Sequence, residues 1–366
     1  MPAPLSCSFT REVPDILREL GGSLALTTYQ AGKLIVLSPD GDRLSQLPRT
    51  FPQAMGMAVD GEGATLRAAV ASKTAVTVLA NAPGLAASYA PNPDRYDGLF
   101  VPRALYFTGA LDLHDMAWGT HAGAPGLWAV NTVFSCLGLV GEAAGFTPVW
   151  RPRFVSALAP EDRCHLNGMA MDEGRPRYVT ALGATDTPRG WRPNKPTGGV
   201  IVDVDSGETV AAGLAMPHSP RLIDGALWVL SSATGEVLTV DVETGATTVV
   251  TRLDGFVRGV VAWGEYVFVG RSRLRTNRTF GELPIARQEL TPGVTILHAA
   301  TGAIVGGLTY ASTVEEIYDV QALPGLLRPG VVGPSQPASA EAIVMPEGTW
   351  WTRASAPEAA AAQAPA

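Results

Sequence analysis

Three of the five histidines in this chain of 366 residues lie in short phrases that recur along the sequence. His114 begins His-Asp-Met-Ala-Trp, His165 precedes Leu-Asn-Gly-Met-Ala, and His218 begins His-Ser-Pro-Arg-Leu. Three imidazoles that converge are a typical ligand set for zinc, iron, manganese or copper, with one position left for water or substrate. The sequence therefore predicts a divalent transition-metal site held by His114, His165 and His218.

Polar residues in equivalent parts of these phrases are candidates for catalysis. Asp112 or Glu316 would complete the metal ligand set or act as a base. Arg258 would bind an acidic group of the substrate or pair with Glu316. The remaining candidates are Asn167 and Tyr318.

Two other interpretations of the histidines stay open. In the first, they hydrogen-bond to the backbone and to Asp115 or Asp162 and so connect neighbouring elements. In the second, they act as acids or bases without a metal. The observation that separates these interpretations is whether the three imidazoles converge.

The elements that position these residues follow from the recurring phrase, which is followed each time by an aromatic or apolar strand. Six copies are spaced 40–60 residues apart, which matches propeller blades of about 40 residues with loop insertions. Because the first strand of a propeller blade lines the channel, the copies predict a ring of side chains around the axis. The ring comprises Met55, His114, Asn167, His218, Arg258 and Tyr318. A second layer lies two residues earlier, at Gln53, Asp112, His165, Met216, Phe256 and Glu316.

Short apolar runs between Gly, Asp and Asn turns indicate an all-β fold, here a six-bladed β-propeller. Three strand-like runs within Ser23–Leu47 lack an inner strand, so we expect them to complete the last blade and close the ring. Residues 1–21 form an N-terminal segment with a short helix over Val13–Leu20, and residues 22–332 form the propeller. Residues 333–366 form a Pro/Ala-rich, mostly disordered tail in which Trp350 and Trp351 could dock.

The phrases resemble a bacterial family catalogued as a domain of unknown function. The resemblance covers roughly Ser6 to Val332 and implies a propeller-like fold, but it supplies no reaction. The phrases that carry it are Leu-His-Asp-Met-Ala-Trp, Asn-Thr-Val-Phe-Ser-Cys, Ala-Pro-Glu-Asp-Arg-Cys-His-Leu-Asn-Gly, Met-Pro-His-Ser-Pro-Arg, Thr-Phe-Gly-Glu-Leu-Pro and Val-Glu-Glu-Ile-Tyr-Asp-Val-Gln.

Composition excludes several partners and compartments. A net charge of -7 disfavours nucleic acid, and no apolar run reaches the roughly 18 residues of a membrane span. Three cysteines without Cys-x-x-Cys spacing suit a reducing compartment, so we expect a cytoplasmic protein. The sequence contains no nucleophile elbow, phosphate loop, dinucleotide fingerprint or His-Glu-x-x-His motif.

Two basic regions complete the candidates. The loop Thr185–Lys195 contains Trp191 and Arg192 and suits a flap over one channel mouth. Arg271, Arg273 and Arg275 form a second basic run; a solvated surface is the alternative for both regions.

These features predict a metal-dependent enzyme with its site in the channel, acting on a small polar and acidic molecule or a peptide. Hydrolase, lyase or isomerase, and oxidoreductase chemistry all suit such a site. The alternative is a non-catalytic propeller that binds a peptide or protein on one face. The sequence leaves the oligomeric state open.

Overall fold

Six small antiparallel sheets surround one axis in the computed structural model, which describes residues 3–274 and 283–352. Each sheet is one blade, and its first strand contacts the first strands of both neighbouring blades. The all-β, six-bladed propeller is thereby confirmed. The phrase Thr279–Pro284 lies mostly outside the described residues, as do Arg275 and Arg278.

The blades follow one another in chain order. The chain begins with β1 (Cys7–Phe9) and the helix α1 (Glu12–Glu19). Blade 1 receives β2 (Gly22–Thr28), β3 (Lys33–Asp40) and β4 (Arg43–Thr50). Blade 2 contains β5 (Met57–Asp60), β6 (Arg67–Ala71), β7 (Ala75–Asn81), the short helix α2 (Pro83–Ala86) and β8 (Gly98–Phe107). Blade 3 contains β9 (Leu113–His121), β10 (Ala124–Asn131), β11 (Cys136–Gly141) and β12 (Gly145–Trp150).

The second half of the ring repeats this order. Blade 4 contains β13 (Leu166–Asp172), β14 (Arg175–Ala181), β15 (Gly199–Asp203) and β16 (Thr209–Leu214). Blade 5 contains β17 (Pro217–Ile223), β18 (Ala226–Ser231), β19 (Glu236–Val240) and β20 (Thr247–Arg252). Blade 6 contains β21 (Phe256–Trp263), β22 (Tyr266–Ser272), β23 (Gly293–His298) and β24 (Ile304–Tyr310). Among the described residues, no helix is long and apolar enough to cross a membrane.

Blade 1 closes the ring with strands from both ends of the described chain. Its inner strand is β25 (Asp319–Pro324), which pairs antiparallel with β2 from Gly22↔Pro324 to Thr27↔Asp319. Leu26 and Val320 are fully buried in the same apolar cluster as the inner face of α1. The predicted closure by N-terminal strands is therefore confirmed, and α1 covers the apolar joint.

The segment after the propeller begins as ordered structure, which differs from the mostly disordered tail expected from residue 333. After β26 (Pro329–Val331), which runs parallel beside β8, come α3 (Ala338–Glu341) and the hairpin of β27 (Ala342–Met345) and β28 (Gly348–Trp351). Trp351 packs on Tyr89 with ring centroids 5.7 Å apart, and its indole N–H donates to Ser88 at 3.2 Å. This aromatic contact explains why the segment docks on the propeller despite its Pro/Ala-rich composition. Residues 353–366 lie outside the described residues.

Side chains at the axis connect the blades in pairs. Asp115 of blade 3 accepts the Met169 N–H of blade 4 at 3.0 Å, and Asp319 of blade 1 accepts the Met57 N–H of blade 2 at 2.9 Å. The Ser219 hydroxyl of blade 5 accepts the Gly259 N–H of blade 6 at 3.0 Å. These contacts satisfy inner-strand N–H groups that face no strand on the channel side.

The Arg221 side chain connects blade 5 to blades 3 and 4 near the axis. Two of its nitrogens donate to the Asp115 carboxylate, at 2.8 and 3.1 Å, and one donates to the Met169 carbonyl at 2.9 Å. Burial, together with the nearby Asp115 carboxylate, raises the pKa of Asp319 to about 7, while Arg221 opposes this shift. One partly buried guanidinium thus stabilises two carboxylates from different blades.

The closure of blade 1 predicts a large cost for shortening Leu26 of β2. Leu26 is fully buried, whereas Leu105 of β8 is 47% exposed. Leu26→Ala should reduce the free energy of unfolding by ~2–5 kcal/mol, and Leu105→Ala by far less. Urea unfolding of the two variants tests this. Equal, small effects would indicate that β2 is a dispensable arm.

The axial network predicts a pH-dependent cost for Arg221→Met, which leaves two buried carboxylates without their cation. Unfolding in urea should require ~3–5 kcal/mol less free energy at pH 8. The loss should shrink at pH 5, because the folded state then holds a proton on Asp319 that relieves the repulsion. Arg153→Met is the control, since the Arg153–Glu208 pair is exposed and worth below ~1 kcal/mol. A loss that is the same at both pH values would contradict the network.

Candidate functional site

One cavity of about 720 Å³ occupies the channel where the inner strands begin. It is called the channel cavity below, and its wall includes His114, His165, His218, Arg258, Glu316 and Tyr318. Its volume suits a small molecule of drug or metabolite size. Asp112 also lines the cavity, so the structure brings seven of the eight predicted site residues to this wall, all except Asn167.

Left-handed backbone turns lead into the inner strands and orient the histidines. Asp112, His165 and Met216 have φ of 49°, 51° and 54°, and each directly precedes the first residue of an inner strand. The second layer was expected on the strands themselves, and this is wrong for these three residues. Their positive φ values turn the Asp112 and Met216 carbonyls back toward His114 and His218, two residues later.

The hydrogen bonds of His114 fix its tautomer. Its Nδ1 lies 2.9 Å from the Asp112 carbonyl and 2.7 Å from the Thr132 hydroxyl. A carbonyl can only accept, and the Thr132 hydroxyl proton is already donated to the Leu166 carbonyl at 2.6 Å. Nδ1 therefore carries the proton, and Nε2 of neutral His114 has a lone pair.

His218 repeats this arrangement in blade 5. Its Nδ1 lies 3.0 Å from the Met216 carbonyl and 2.9 Å from the Ser232 hydroxyl. Ser232 in turn donates to the Val257 carbonyl of blade 6 at 2.6 Å. Nδ1 is again the protonated nitrogen, and Nε2 is again the acceptor.

His165 is held by a carboxylate. Its Nδ1 lies 2.9 and 3.2 Å from the two Asp162 oxygens, and Asp162 also accepts the Trp191 indole N–H at 3.1 Å. The His165 ring lies with its centroid 5.0 Å from that of His114 and 4.4 Å from that of Trp191. Within the described residues, no hydrogen bond reaches Nε2 of any of the three imidazoles.

Burial keeps two of the histidines neutral. It is the main reason that the pKa of His218 is lowered to about 3, and the Arg258 charge adds to the effect. Burial also holds the pKa of His114 well below its usual value, followed by repulsion from His165. At neutral pH these imidazoles are therefore uncharged acceptors rather than cations.

Arg258 is paired with a protein carboxylate. Its guanidinium forms a buried ion pair with Glu316 and lies over the Tyr318 ring, 3.8 Å from the ring centroid. Its Nε has no hydrogen-bond partner among the described residues. Of the two roles expected for Arg258, the pairing with Glu316 is present in the structure.

Two other predicted site residues, Asp112 and Asn167, bond to neighbouring side chains of the protein. The Asp112 side chain forms an ion pair with Lys73 at the cavity wall. Asn167 is buried behind the wall, where its amide oxygen accepts the Thr180 hydroxyl at 2.7 Å. The Asn167 amide nitrogen has no partner in the described part of the chain.

The three-histidine metal site stays a prediction. His114 and His165 are neighbours, but the ranges 3–274 and 283–352 contain no group of three or more His, Cys, Asp or Glu side chains arranged to hold a metal ion. The contacts expected if the histidines connect elements are also present, through backbone carbonyls and Asp162. These same contacts orient Nε2, as carboxylates and carbonyls do for metal-ligating histidines.

Sequence reasoning missed the hydroxyl groups of this site and Arg189, although it singled out Arg192 and Arg273. Thr132 and Ser232 directly follow the second strands of blades 3 and 5, a shared position that the repeat alignment could have revealed. Arg189 and Arg273 also line the cavity, with Arg192 from the predicted flap. Arg271, by contrast, is buried and bonds to Thr309 and the Leu308 carbonyl.

Comparison with known proteins identifies a family and a fold. A family model described as a domain of unknown function, DUF4915, matches residues 11–332. No curated protein matches the chain. Among solved structures, a chain of a nidogen/laminin complex matches with a TM-score of 0.51 and 12% identity, covering 83% of this chain and 99% of that one. A protein of unknown function from Bacteroides caccae matches with a TM-score of 0.51, 10% identity and the same coverage. At these identities the likeness shows the fold alone.

The neutral state of His218 predicts a specific pH dependence of stability. Between pH 3 and pH 6.5 the unfolded chain binds a proton that folded His218 does not, so stability falls as the pH falls through this window. His218→Asn retains a side-chain N–H donor and removes the titration. The wild type should lose up to about 1.4 kcal/mol more per pH unit than the variant between pH 6.5 and pH 5. Urea unfolding at three pH values, with His121→Asn as control, measures the difference; parallel profiles would contradict a neutral, buried His218.

Proposed function

The chain belongs to this family of unknown function, DUF4915, so we propose its function from the residues of the channel cavity. We infer an enzyme that acts on a small polar molecule held in the cavity by neutral imidazoles. The observation that carries the proposal is the shared hydrogen bonding of His114, His165 and His218 through Nδ1. This bonding leaves Nε2 of all three imidazoles without a hydrogen-bond partner among the described residues, and in neutral His114 and His218 it carries a lone pair.

A divalent transition metal is the proposed cofactor. Ligation requires a neutral imidazole with a fixed tautomer, which supports zinc, iron, manganese or copper. The ring centroids of His114 and His165 are 5.0 Å apart, a separation that suits two ligands of one ion. Such an ion would polarise an oxygen of the substrate, and substrate or solvent would have to complete its ligand set.

The low pKa of His218 makes this residue unsuitable as the main general base. A general base works best when its pKa lies near the operating pH, and a pKa of about 3 is far below it. The Nε2 of His218 is better suited to accept a hydrogen bond from a substrate hydroxyl. His218, on the blade next to that of His165, is therefore proposed as a residue that positions the substrate.

Arg258, Glu316 and Tyr318 form a unit that shapes the cavity. The ion pair neutralises both charges, and Tyr318 covers one face of the guanidinium. A paired arginine still directs N–H groups, so Arg258 is proposed to orient an oxygen of the substrate. Asp112, paired with Lys73, is proposed to hold the turn that orients His114.

A non-catalytic propeller is the second candidate. The same fold occurs in a chain from a nidogen/laminin complex, so the fold alone is compatible with protein binding. The proposal of an enzyme rests instead on the channel cavity and its imidazoles. We propose a cytoplasmic location because the three cysteines are free.

Zinc titration of chelator-treated protein tests the proposed cofactor. Calorimetry should find one zinc ion per chain, and His165→Gln should weaken binding at least about tenfold because it removes one of two neighbouring ligands. His121→Gln is the matched control, since His121 packs edge-to-face against Trp128 and does not line the cavity. Metal analysis of the untreated protein supplies the native ion.

Two results would overturn the metal-dependent function. One is the lack of saturable binding of zinc, manganese, copper or iron. The other is an affinity that His165→Gln and His121→Gln change equally. In either case the cavity would remain a small-molecule site without a metal, to be tested by ligand screening.

A further inference from the structure

Three arginines at the channel cavity have no ion-pair partner among the residues that the structure describes. They are Arg189, Arg192 and Arg273, and all three are exposed. Arg189 and Arg192 belong to the loop after β14, and Arg273 follows β22 of blade 6. The cationic groups therefore reach the cavity from two separate blades.

The carboxylates of the same wall are all engaged. Asp112 pairs with Lys73, Glu161 with Arg163, and Glu316 with Arg258. Asp162 accepts hydrogen bonds from His165 and Trp191. Three of these four carboxylates are neutralised by ion pairs, so the unpaired guanidinium groups of the described wall remain available to an anion on a chain whose net charge is -7.

The loop that carries two of these arginines is anchored. Trp191, between them, is 4% exposed and donates to Asp162. Asp186 accepts Arg163 at 2.7 Å and the Ser156 N–H at 2.9 Å. Arg189 has a left-handed backbone with φ of 51°, and its N–H donates to the Glu161 carbonyl at 3.0 Å. A loop that holds a non-glycine residue in this conformation fixes the direction in which its side chain leaves.

We propose that Arg189, Arg192 and Arg273 bind an oxyanion, and that the natural ligand is a hydroxylated small molecule bearing a phosphate or sulfate ester. Guanidinium groups match the three terminal oxygens of such an ester better than a carboxylate with two. Deeper in the cavity, neutral imidazoles accept hydrogen bonds and therefore select hydroxyl donors. The substrate role rests on the proposed function, whereas the anion site stands on the arginines alone.

Glycerol 3-phosphate is a suitable probe, because glycerol is its neutral parent and glycerate its carboxylate counterpart. Calorimetry at low ionic strength should detect binding of glycerol 3-phosphate and weaker or no binding of the other two. Arg189→Gln/Arg192→Gln should raise its Kd at least about tenfold, because charge-assisted hydrogen bonds are lost. Arg273→Gln tests the second blade, and Arg43→Gln, an exposed arginine outside the cavity, is the charge-matched control.

The outcomes separate this inference from the metal-dependent function. A Kd unchanged in both cavity variants, or glycerol binding as tightly as its phosphate, overturns the oxyanion site. Loss of zinc binding in His165→Gln with unchanged glycerol 3-phosphate affinity supports both proposals as independent parts of one cavity. If the wild type binds no zinc, the glycerol 3-phosphate affinities of the arginine variants still decide whether the anion site exists.

Discussion

The structure depends on hydrogen bonds that hold each odd-numbered blade to the next at the axis. Asp115, Ser219 and Asp319 accept backbone N–H groups of the following inner strand, and the hydroxyls of Thr132 and Ser232 donate to its carbonyls. These contacts set the positions of the inner strands, and the inner strands position the candidate site. A change at the axis is therefore expected to move the imidazoles and the cavity together.

The same contacts determine the chemistry of the cavity. Thr132 and Ser232 each connect two blades and also accept the Nδ1 proton of a histidine, so the tautomer follows from blade docking. Burial then keeps His114 and His218 uncharged. The result is one cavity wall that combines neutral acceptors with three exposed arginines, and this combination supports the proposed ligand with hydroxyl groups and an anionic group.

The sequence predicted much of this because the repeated phrase marks the inner strands. Six copies located the ring, and the unpaired strand runs before Met55 revealed how the ring closes. The repeated phrase did not reveal that the residue after each ring residue alternates from blade to blade. This residue is Gly56, Gly168 or Gly259 in the even-numbered blades, and Asp115, Ser219 or Asp319 in the odd-numbered blades. A Cβ at Gly56 would lie 2.8 Å from the His114 carbonyl oxygen, and one at Gly259 2.7 Å from the Asp319 Cα, so glycine is required there. The second layer was placed on the strands because period-two reasoning does not foresee left-handed residues such as Asp112. Arg189 lies in a long loop whose sequence has no periodicity, so only the composition of that loop pointed to the cavity.

The chemistry proposed for the cavity depends on imidazoles of His114 and His218 that are neutral, with Nδ1 protonated and Nε2 free to bind. Nitrogen NMR of protein labelled at histidine tests this directly, with His114→Gln and His218→Gln assigning the signals. We expect His114 and His218 to show an unprotonated Nε2 at pH 7 and to remain neutral at pH 5. An imidazolium at pH 7, or a proton on Nε2, would contradict it.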